Sequence, residues 1–443
     1  MKTTQPNLLF FFPDQMRPDW DGARSDIPVR TPNLDALRER GTAFENALCP
    51  SPVCAPSRAC LAVGNEYDRC LVPSNGQDLP TDAPNLYQRL RSAGYHVTGC
   101  GKFDLNKGSC IGRKGAWGKD GQRRLDAWGF SAGVNNEGKL DGVNNAGRET
   151  QGPYLTYLER IGWREAHVQD FRRRNRFAAF PTPLPEAAYC DNWIAQNGLD
   201  LINGAPPGKP WFLQINFTGP HNPWDITESM AELYKEVEFP DPAVWDGENA
   251  EKHQAVRRNY AAMTENIDRW LGVYTEALRE RGELENTIIV FSSDHGEMLG
   301  DRGAWGKGKP YQASAGVPLV AAGWGVAAGR RLSSPAATLD LTATFLDCAG
   351  AEPLDGMDSR SLREVLSGAS DGNRGVVFSG LGEWRLAFDG RFKLVRRKGE
   401  PKELYDLQED PFEETNRVDD DACAEAKARL MGAFEAEYGR VQA

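Results

Sequence analysis

Four short stretches of the chain are apolar at consecutive positions, without the polar alternation of a half-solvated strand. They are Asn7–Phe12, Tyr95–Cys100, Trp211–Phe217 and Thr287–Phe291. Runs of this length predict strands buried on both faces. Helical spacing fills the intervals between them. Asn85–Ala93 ends at the stop signal Gly94. Within Gln254–Arg281, residues Tyr260, Met263, Ile267, Trp270, Leu271, Tyr274 and Leu278 recur at the period of a long helix with one face on the core. Buried strands alternating with helices predict an α/β fold, with a large, mostly parallel sheet covered by helices on both faces.

The last third of the chain has another rhythm. Asp340–Gly350 reads as a helix closed by glycine. Gly375–Leu381, Glu383–Asp389 and Phe392–Arg397 are short β-rich runs joined by turn residues such as Asp389-Gly390, the pattern of an antiparallel meander. Ala422–Tyr438 follows as a helix with Leu430, Met431, Phe434 and Tyr438 on one face. These patterns predict a large α/β domain over residues 1–366 and a smaller C-terminal antiparallel sheet plus helix over 367–443.

Composition narrows the class of partner. The 443 residues carry 52 Lys+Arg against 63 Asp+Glu, a net charge of −11, which gives no support to a nucleic-acid or anionic-membrane partner. No apolar run approaches the ~18 residues that span a bilayer. Residues 1–6 pass straight into the first strand with no apolar leader, and nine cysteines without CxxC pairs fit a reducing compartment, so the expected location is cytoplasmic.

Each of the four buried runs ends in a residue suited to chemistry: Asp14, Lys102, His221 and Asp294. Taken singly, each is also an ordinary cap, turn or surface residue. In open α/β sheets, however, ligands sit outside the carboxyl ends of the strands, and four such residues at one predicted edge predict a site. Asp14 and Asp294 offer hard anionic oxygens and Gln15 a carbonyl oxygen, as Ca²⁺ or Mg²⁺ requires. His295 adds an imidazole, which suits Mn²⁺ better. Cys54 leads into an apparent helix over Ser57–Val63, whose N–H groups and dipole favour a bound anion.

The run Cys54-Ala-Pro-Ser-Arg58, followed by an apolar helix and Gly64, resembles the signature of the type I sulfatases, within the alkaline phosphatase superfamily. Six further segments resemble that family in its order. They are Asp14-Gln15 with Thr31-Pro-Asn-Leu-Asp35, Gly101-Lys102, Gly219-Pro-His221-x-Pro223, Ser293–Glu297, Gly303-x-Trp-Gly-Lys307-Gly, and Glu403–Leu407 with Asp410-Pro411. The resemblance implies the superfamily fold and conversion of Cys54 to formylglycine (3-oxoalanine) by a maturase. It also implies one divalent metal, Ca²⁺ before Mg²⁺ or Mn²⁺, held by Asp14, Gln15, Cys54, Asp294 and His295. The implied reaction is hydrolysis of a sulfate ester: a hydrated aldehyde at residue 54 attacks sulfur, expels the alcohol and then eliminates sulfate. By the same resemblance, Arg58 holds the modified side chain, and Lys102 and Lys307 grip sulfate, with Lys309 as the substitute for Lys307. His221 protonates the leaving oxygen, a task for a group titrating near neutral pH.

The chain also departs from that pattern. Asp104 stands where family members often have a histidine, and an unperturbed aspartate (pKa ~3.9) is a weaker base. Gln312 and Gly316 replace a usual Glu and Arg. Gln15 stands where many sulfatases have Asp, a choice shared with phosphonate monoester hydrolases of the same family. For the substrate, residues 103–180 hold Trp117, Trp128, Trp163 and the basic run Arg172–Arg176. Aromatic faces and guanidinium forks suit a sulfated saccharide, with Asp104, Arg172 and Arg174 as candidate contacts. A small organic sulfate is equally consistent. Two other readings stay open: a phosphonate monoester or phosphodiester hydrolase with the same nucleophile, and a catalytically silent anion- or carbohydrate-binding protein with Cys54 as a thiol.

Overall fold

Residues Leu8, Phe10 and Phe12 belong to one buried cluster, and Leu9 and Phe11 to another. This period of two places a strand between two cores. In the computed structural model, which describes residues 5–110 and 117–439, that strand lies inside an eight-stranded sheet. Its members are β1 (Asn7–Phe11), β2 (Gly41–Leu48), β3 (His96–Gly101), β4 (Ala132–Asn135), β5 (Trp211–Asn216), β6 (Thr287–Ser292), β7 (Leu319–Gly323) and β8 (Arg330–Ala337), in the order β4-β3-β5-β1-β6-β7-β2-β8. All pairings are parallel except those of β7, which runs antiparallel to β6 and β2. The mostly parallel sheet is as expected.

Helices Cys54–Val63, Leu86–Ser92 and Leu341–Cys348 cover one face through residues such as Ala59, Leu90 and Phe345. Pro32–Glu39, Cys190–Asn203 and the 31-residue helix Ala250–Glu280 cover the other through Leu34, Ile194, Ile267 and Leu271. No helix among the described residues is long and apolar enough to cross a membrane.

The C-terminal meander has a fourth strand. β9 (Val377–Leu381), β10 (Trp384–Phe388), β11 (Phe392–Arg397) and β12 (Glu403–Asp406) pair antiparallel in sequence order. One face contributes Val377, Leu386, Val395 and Tyr405 to the same core as the large sheet. The other meets helix Ala424–Tyr438 through Leu394, Leu404, Leu430 and Phe434. Residues beyond 366 are therefore packed against the main body, not tethered to it.

His167 illustrates what this core tolerates. It is 1 % exposed between the rings of Tyr154 (5.4 Å) and Phe171 (4.3 Å), and neither ring nitrogen has a hydrogen-bond partner among the described residues. Burial, then the charges of Lys139 and Arg174, push its pKa down to about 3. An unfolded histidine titrates near ~6.5. Between these values the unfolded chain binds a proton that the folded chain refuses, so stability falls as pH falls, by up to about 1.4 kcal/mol per unit. Urea unfolding between pH 6.5 and 4 should therefore show a flatter stability slope for His167→Phe than for the wild type. Equal slopes would show that His167 is not the group responsible.

Candidate active site

Register brings the chemistry together. Phe11 of β1 pairs with Ile215 of β5 and Phe291 of β6, and Gly101 of β3 pairs with Asn216 of β5. Four adjacent strands thus end at one level. Asp14, Lys102, His221 and the pair Asp294-His295 follow immediately, on the carboxyl edge where ligands bind in open α/β sheets. Cys54, 1 % exposed, is the first residue of the buried helix Cys54–Val63 and faces them.

The Cys54 sulfur is ringed by Lys307 Nζ (2.9 Å), His295 Nε2 (3.3 Å), Lys102 Nζ (3.6 Å) and Asp14 Oδ1 (3.7 Å). Burial and Asp14 oppose a thiolate there, but Lys102, Lys307 and His295 outweigh them and hold the thiol well below its ordinary range. Position 54 is built for negative charge. Burial likewise opposes ionisation of Asp14, and Lys102, Lys307, His221 and Arg58 overcome it. Lys102 touches Asp14 and lies 3.1 Å from Asp104; these acids keep it protonated despite burial. Asp104 is shared with Lys107 (2.9 Å), and the two lysines lower its carboxyl further against the effect of burial. It is a counter-ion and a poor base.

Arg58 makes no direct bond to Cys54. Its Nε donates to Asp294 (2.9 Å), its Nη2 lies 3.5 Å from Asp14, and its Nη1 donates to the Lys102 carbonyl (2.6 Å) and Asn216 Oδ1 (2.9 Å). Its guanidinium also stacks over Phe12 at 4.9 Å. Arg58 braces the acids and balances their charge, and it reaches them rather than the Cys54 side chain.

The donor set fits a divalent cation. Ligand atoms of Asp14, Cys54, Asp294 and His295 lie within 4.8 Å of one another. His295 Nδ1 is 3.0 Å from the Gly296 carbonyl, which only accepts, so the proton sits on Nδ1 and the Nε2 lone pair faces the cluster. Gln15 has φ 70°; its amide N–H donates to Asp294 (3.0 Å) and its side-chain amide to Glu297. Its Oε1 is left buried with no hydrogen-bond partner among the described residues. An orphaned buried carbonyl costs about 1–3 kcal/mol, and a cation beside the carboxylates removes that cost. Burial and the neighbouring Asp14 also raise the Asp294 carboxyl in spite of Arg58, a further call for positive charge. Glu297 was not among the expected site residues, although it stands in the Ser293–Glu297 run. Besides Gln15 it receives N–H groups from Gly306 (2.5 Å) and Leu299 (3.1 Å).

His221 differs from expectation. Its Nδ1 donates to the Asn222 carbonyl, which leaves Nε2 for the hydrogen bond its ring shares with Cys54. Burial and Lys307 push its pKa down to about 4. Desolvation beside a lysine makes it neutral at neutral pH, not a group titrating there.

These residues open into a cavity of about 280 Å³ lined by Cys54, Lys102, His221 and Lys307, together with Lys107 and Asp141, which sequence reasoning missed. Asn75 and Asn222 also line it. Lys309 is exposed and outside it. Arg174 is corrected as a substrate contact: its side chain is 0 % exposed, paired with Asp170 (2.8 Å) and stacked on Phe180 (4.1 Å). Arg172 is exposed, also away from the cavity wall, while Trp117 and Trp128 are core residues. A second cavity of about 390 Å³, lined by residues of β2 and β7 and by Glu413, contains none of Cys54, Asp14, Asp294 and His295.

Comparison with known proteins agrees with this arrangement. The sulfatase family model matches residues 6–351. An arylsulfatase of Clostridium perfringens is 26% identical, covering 95% of this chain and 92% of its own. A choline-sulfatase of Rhizobium meliloti is 28% identical, covering 94% and 83%. The phosphonate monoester hydrolase of Agrobacterium radiobacter shares the fold, with a TM-score of 0.82 over 99% of this chain and 96% of that one at 24% identity. A matching family model over most of the chain, on a sheet edge that gathers two carboxylates, two lysines and two histidines around Cys54, leaves one conclusion: the chain belongs to the sulfatase family of sulfuric ester hydrolases.

Proposed function

We propose that this sulfatase acts on a sulfated saccharide fragment or another small organic sulfate, with residue 54 as its nucleophile. The observation that carries this reading is the placement of Lys102 and Lys307 within 3.6 Å of position 54 in a buried pocket that also holds His221. As formylglycine, residue 54 supplies a hydrated aldehyde, a nucleophile that can later release sulfate. A divalent cation held by Asp14, Gln15, Asp294 and His295 supplies Lewis acidity beside it. Two carboxylates and a carbonyl favour Ca²⁺, while the imidazole keeps Mg²⁺ and Mn²⁺ as alternatives.

The chain's own residues do the remaining work. Lys102 comes from the end of β3 and Lys307 from the loop between β6 and β7, and together they bracket a sulfate group, stabilising charge that builds on its oxygens. Sulfate bound beside Lys307 offsets the Lys307 charge that, after burial, holds His221 low, and so raises His221 toward the range where Nε2 carries a proton for the leaving oxygen. The amides of Asn75 and Asn222 and the carboxylate of Asp141 offer hydrogen bonds to a hydroxyl-bearing alcohol. Modification by a maturase and a cytoplasmic location belong to the same proposal, supported by eight described cysteines that are all free and buried.

A second reading, phosphonate monoester or phosphodiester hydrolysis, is favoured by Gln15. A neutral amide at that position leaves the site one unit more positive than an aspartate would, and these substrates carry the same single charge as a sulfate monoester.

Two outcomes follow. Exhaustive chelation should inactivate the enzyme, with recovery on adding Ca²⁺, Mg²⁺ or Mn²⁺. Asp14→Asn and Asp294→Asn should each weaken metal binding by about 10–100-fold or more; full activity in metal-free protein would show that the cluster is not a metal site. The second outcome concerns scope. On a panel of aryl sulfate, phosphodiester, phosphonate monoester and phosphate monoester with matched leaving groups, sulfate should be hydrolysed, with measurable side activity on the singly charged phosphorus esters. Gln15→Asp should penalise the doubly charged phosphate monoester most. A panel in which only phosphorus esters react would replace the first reading by the second.

A further inference from the structure

Lys307 lies between Gly306 (φ 80°) and Gly308 (φ 83°), both in the left-handed region. Glycines in that conformation lend a loop no stiffness of their own. The position of the Lys307 ammonium, 2.9 Å from Cys54 Sγ, is therefore set by what grips the loop on either side. Ahead of it, Gly306 donates its N–H to Glu297 (2.5 Å) and accepts one from Met298 (2.8 Å). Behind it, the Gly308 N–H donates to the Pro52 carbonyl of the Cys54 loop (3.0 Å), and the C-terminal sheet and the segment that follows it add further contacts.

Trp384 Nε1 of β10 donates to the Gly308 carbonyl (3.3 Å). Lys393 of β11, with a side chain 0 % exposed, donates to Gln312 Oε1 (2.9 Å) and the Pro310 carbonyl (3.4 Å), and pairs with Glu413 Oε1 (2.9 Å). The other Glu413 oxygen accepts the Gln312 backbone N–H (2.6 Å), and the Glu413 carbonyl accepts from Arg302 (2.7 Å). Glu413 thus holds the loop on both sides of Lys307. The same sheet reaches the Cys54 loop, where Gly380 of β9 donates to the Pro50 carbonyl (3.0 Å).

A buried ion pair adds little net stability over apolar residues of the same volume; what it fixes well is geometry. We infer that Lys393, Glu413 and Trp384 are positioning residues for Lys307, so that the C-terminal sheet sets the place of a sulfate-binding lysine in a cavity it does not itself line. The inference rests on the role given to Lys307 above.

The test is a double-mutant cycle on the full-length, modified, metal-loaded enzyme. Lys393→Met with Glu413→Gln removes both charges at once, leaving neither buried alone. It is placed in the native and the Lys307→Ala backgrounds, reading kcat/KM for 4-nitrophenyl sulfate and the Kd of inorganic sulfate. In the native background, kcat/KM should fall about tenfold or more and sulfate should bind about fivefold more weakly; in Lys307→Ala both should change by less than about twofold. Trp384→Phe, which deletes one N–H donor, should give the same non-additivity at smaller size, and it decides the matter if the double variant does not fold. Equal losses in both backgrounds, or no loss in either, would overturn the positioning role. Undiminished activity in Lys307→Ala alone would instead overturn the assignment of Lys307 on which the inference rests.

Discussion

Charge that water cannot reach must be balanced by other charge, and this constraint organises the carboxyl edge of the sheet. Asp14 and Asp294 are 0 % exposed. Asp14 ionises only because Lys102, Lys307 and Arg58 face it, and Lys102 stays protonated in the same buried place only because Asp104 and Asp14 face it in turn. No member is stable in its charged form without the others. In a medium of low effective dielectric such a cluster is sensitive to one added charge. The places left incomplete are an orphaned carbonyl on Gln15, a raised carboxyl on Asp294 and two lysines turned toward position 54. The first two ask for a cation and the third for an anion. Such a site suits a metal beside a sulfate ester.

The fold supplies the cluster by topology. β3, β5, β1 and β6 are neighbours although they are far apart in sequence, so four loops separated by as many as 280 residues deliver their polar ends to one spot. The helix that starts at Cys54 closes the spot from one face of the sheet, and the loop carrying Lys307 closes it from above β6. That loop is also held from outside the large sheet. Its anchorage through Gln312, Glu413 and Lys393 makes the C-terminal sheet part of the catalytic unit in a structural sense.

What could be read from the sequence follows burial. β1, β3, β5 and β6 are flanked by strands and covered by helices, so their residues are apolar at consecutive positions and stand out. β2 carries Glu45 and Asn46 across its partly exposed middle, and β8, at the sheet edge, alternates buried and exposed positions through Arg331 and Ser333. Both escaped notice because a strand with one wet side looks like a loop. The gathering of Cys54, Asp14, Asp294, His295, Lys102 and Lys307 at one place was legible because the Cys54–Arg58 run, the strand ends and the Gly303–Gly308 run carry strong local patterns. Glu297 and Lys107 were missed because each acts by supporting a neighbour, a role with no pattern of its own. Arg174, Trp117 and Trp128 looked like ligand contacts because residue type alone does not say which way a side chain points; all three point into the protein.

The central claim is that turnover depends on a modified residue 54 in this pocket. The direct measurement is the mass of the peptide containing residue 54, taken on enzyme preparations of known activity with differing degrees of modification. The account predicts that kcat per molecule rises in proportion to the fraction of aldehyde or its hydrate at residue 54, and that Cys54→Ala gives none. A preparation that turns over sulfate esters at full rate with residue 54 entirely as thiol would contradict it.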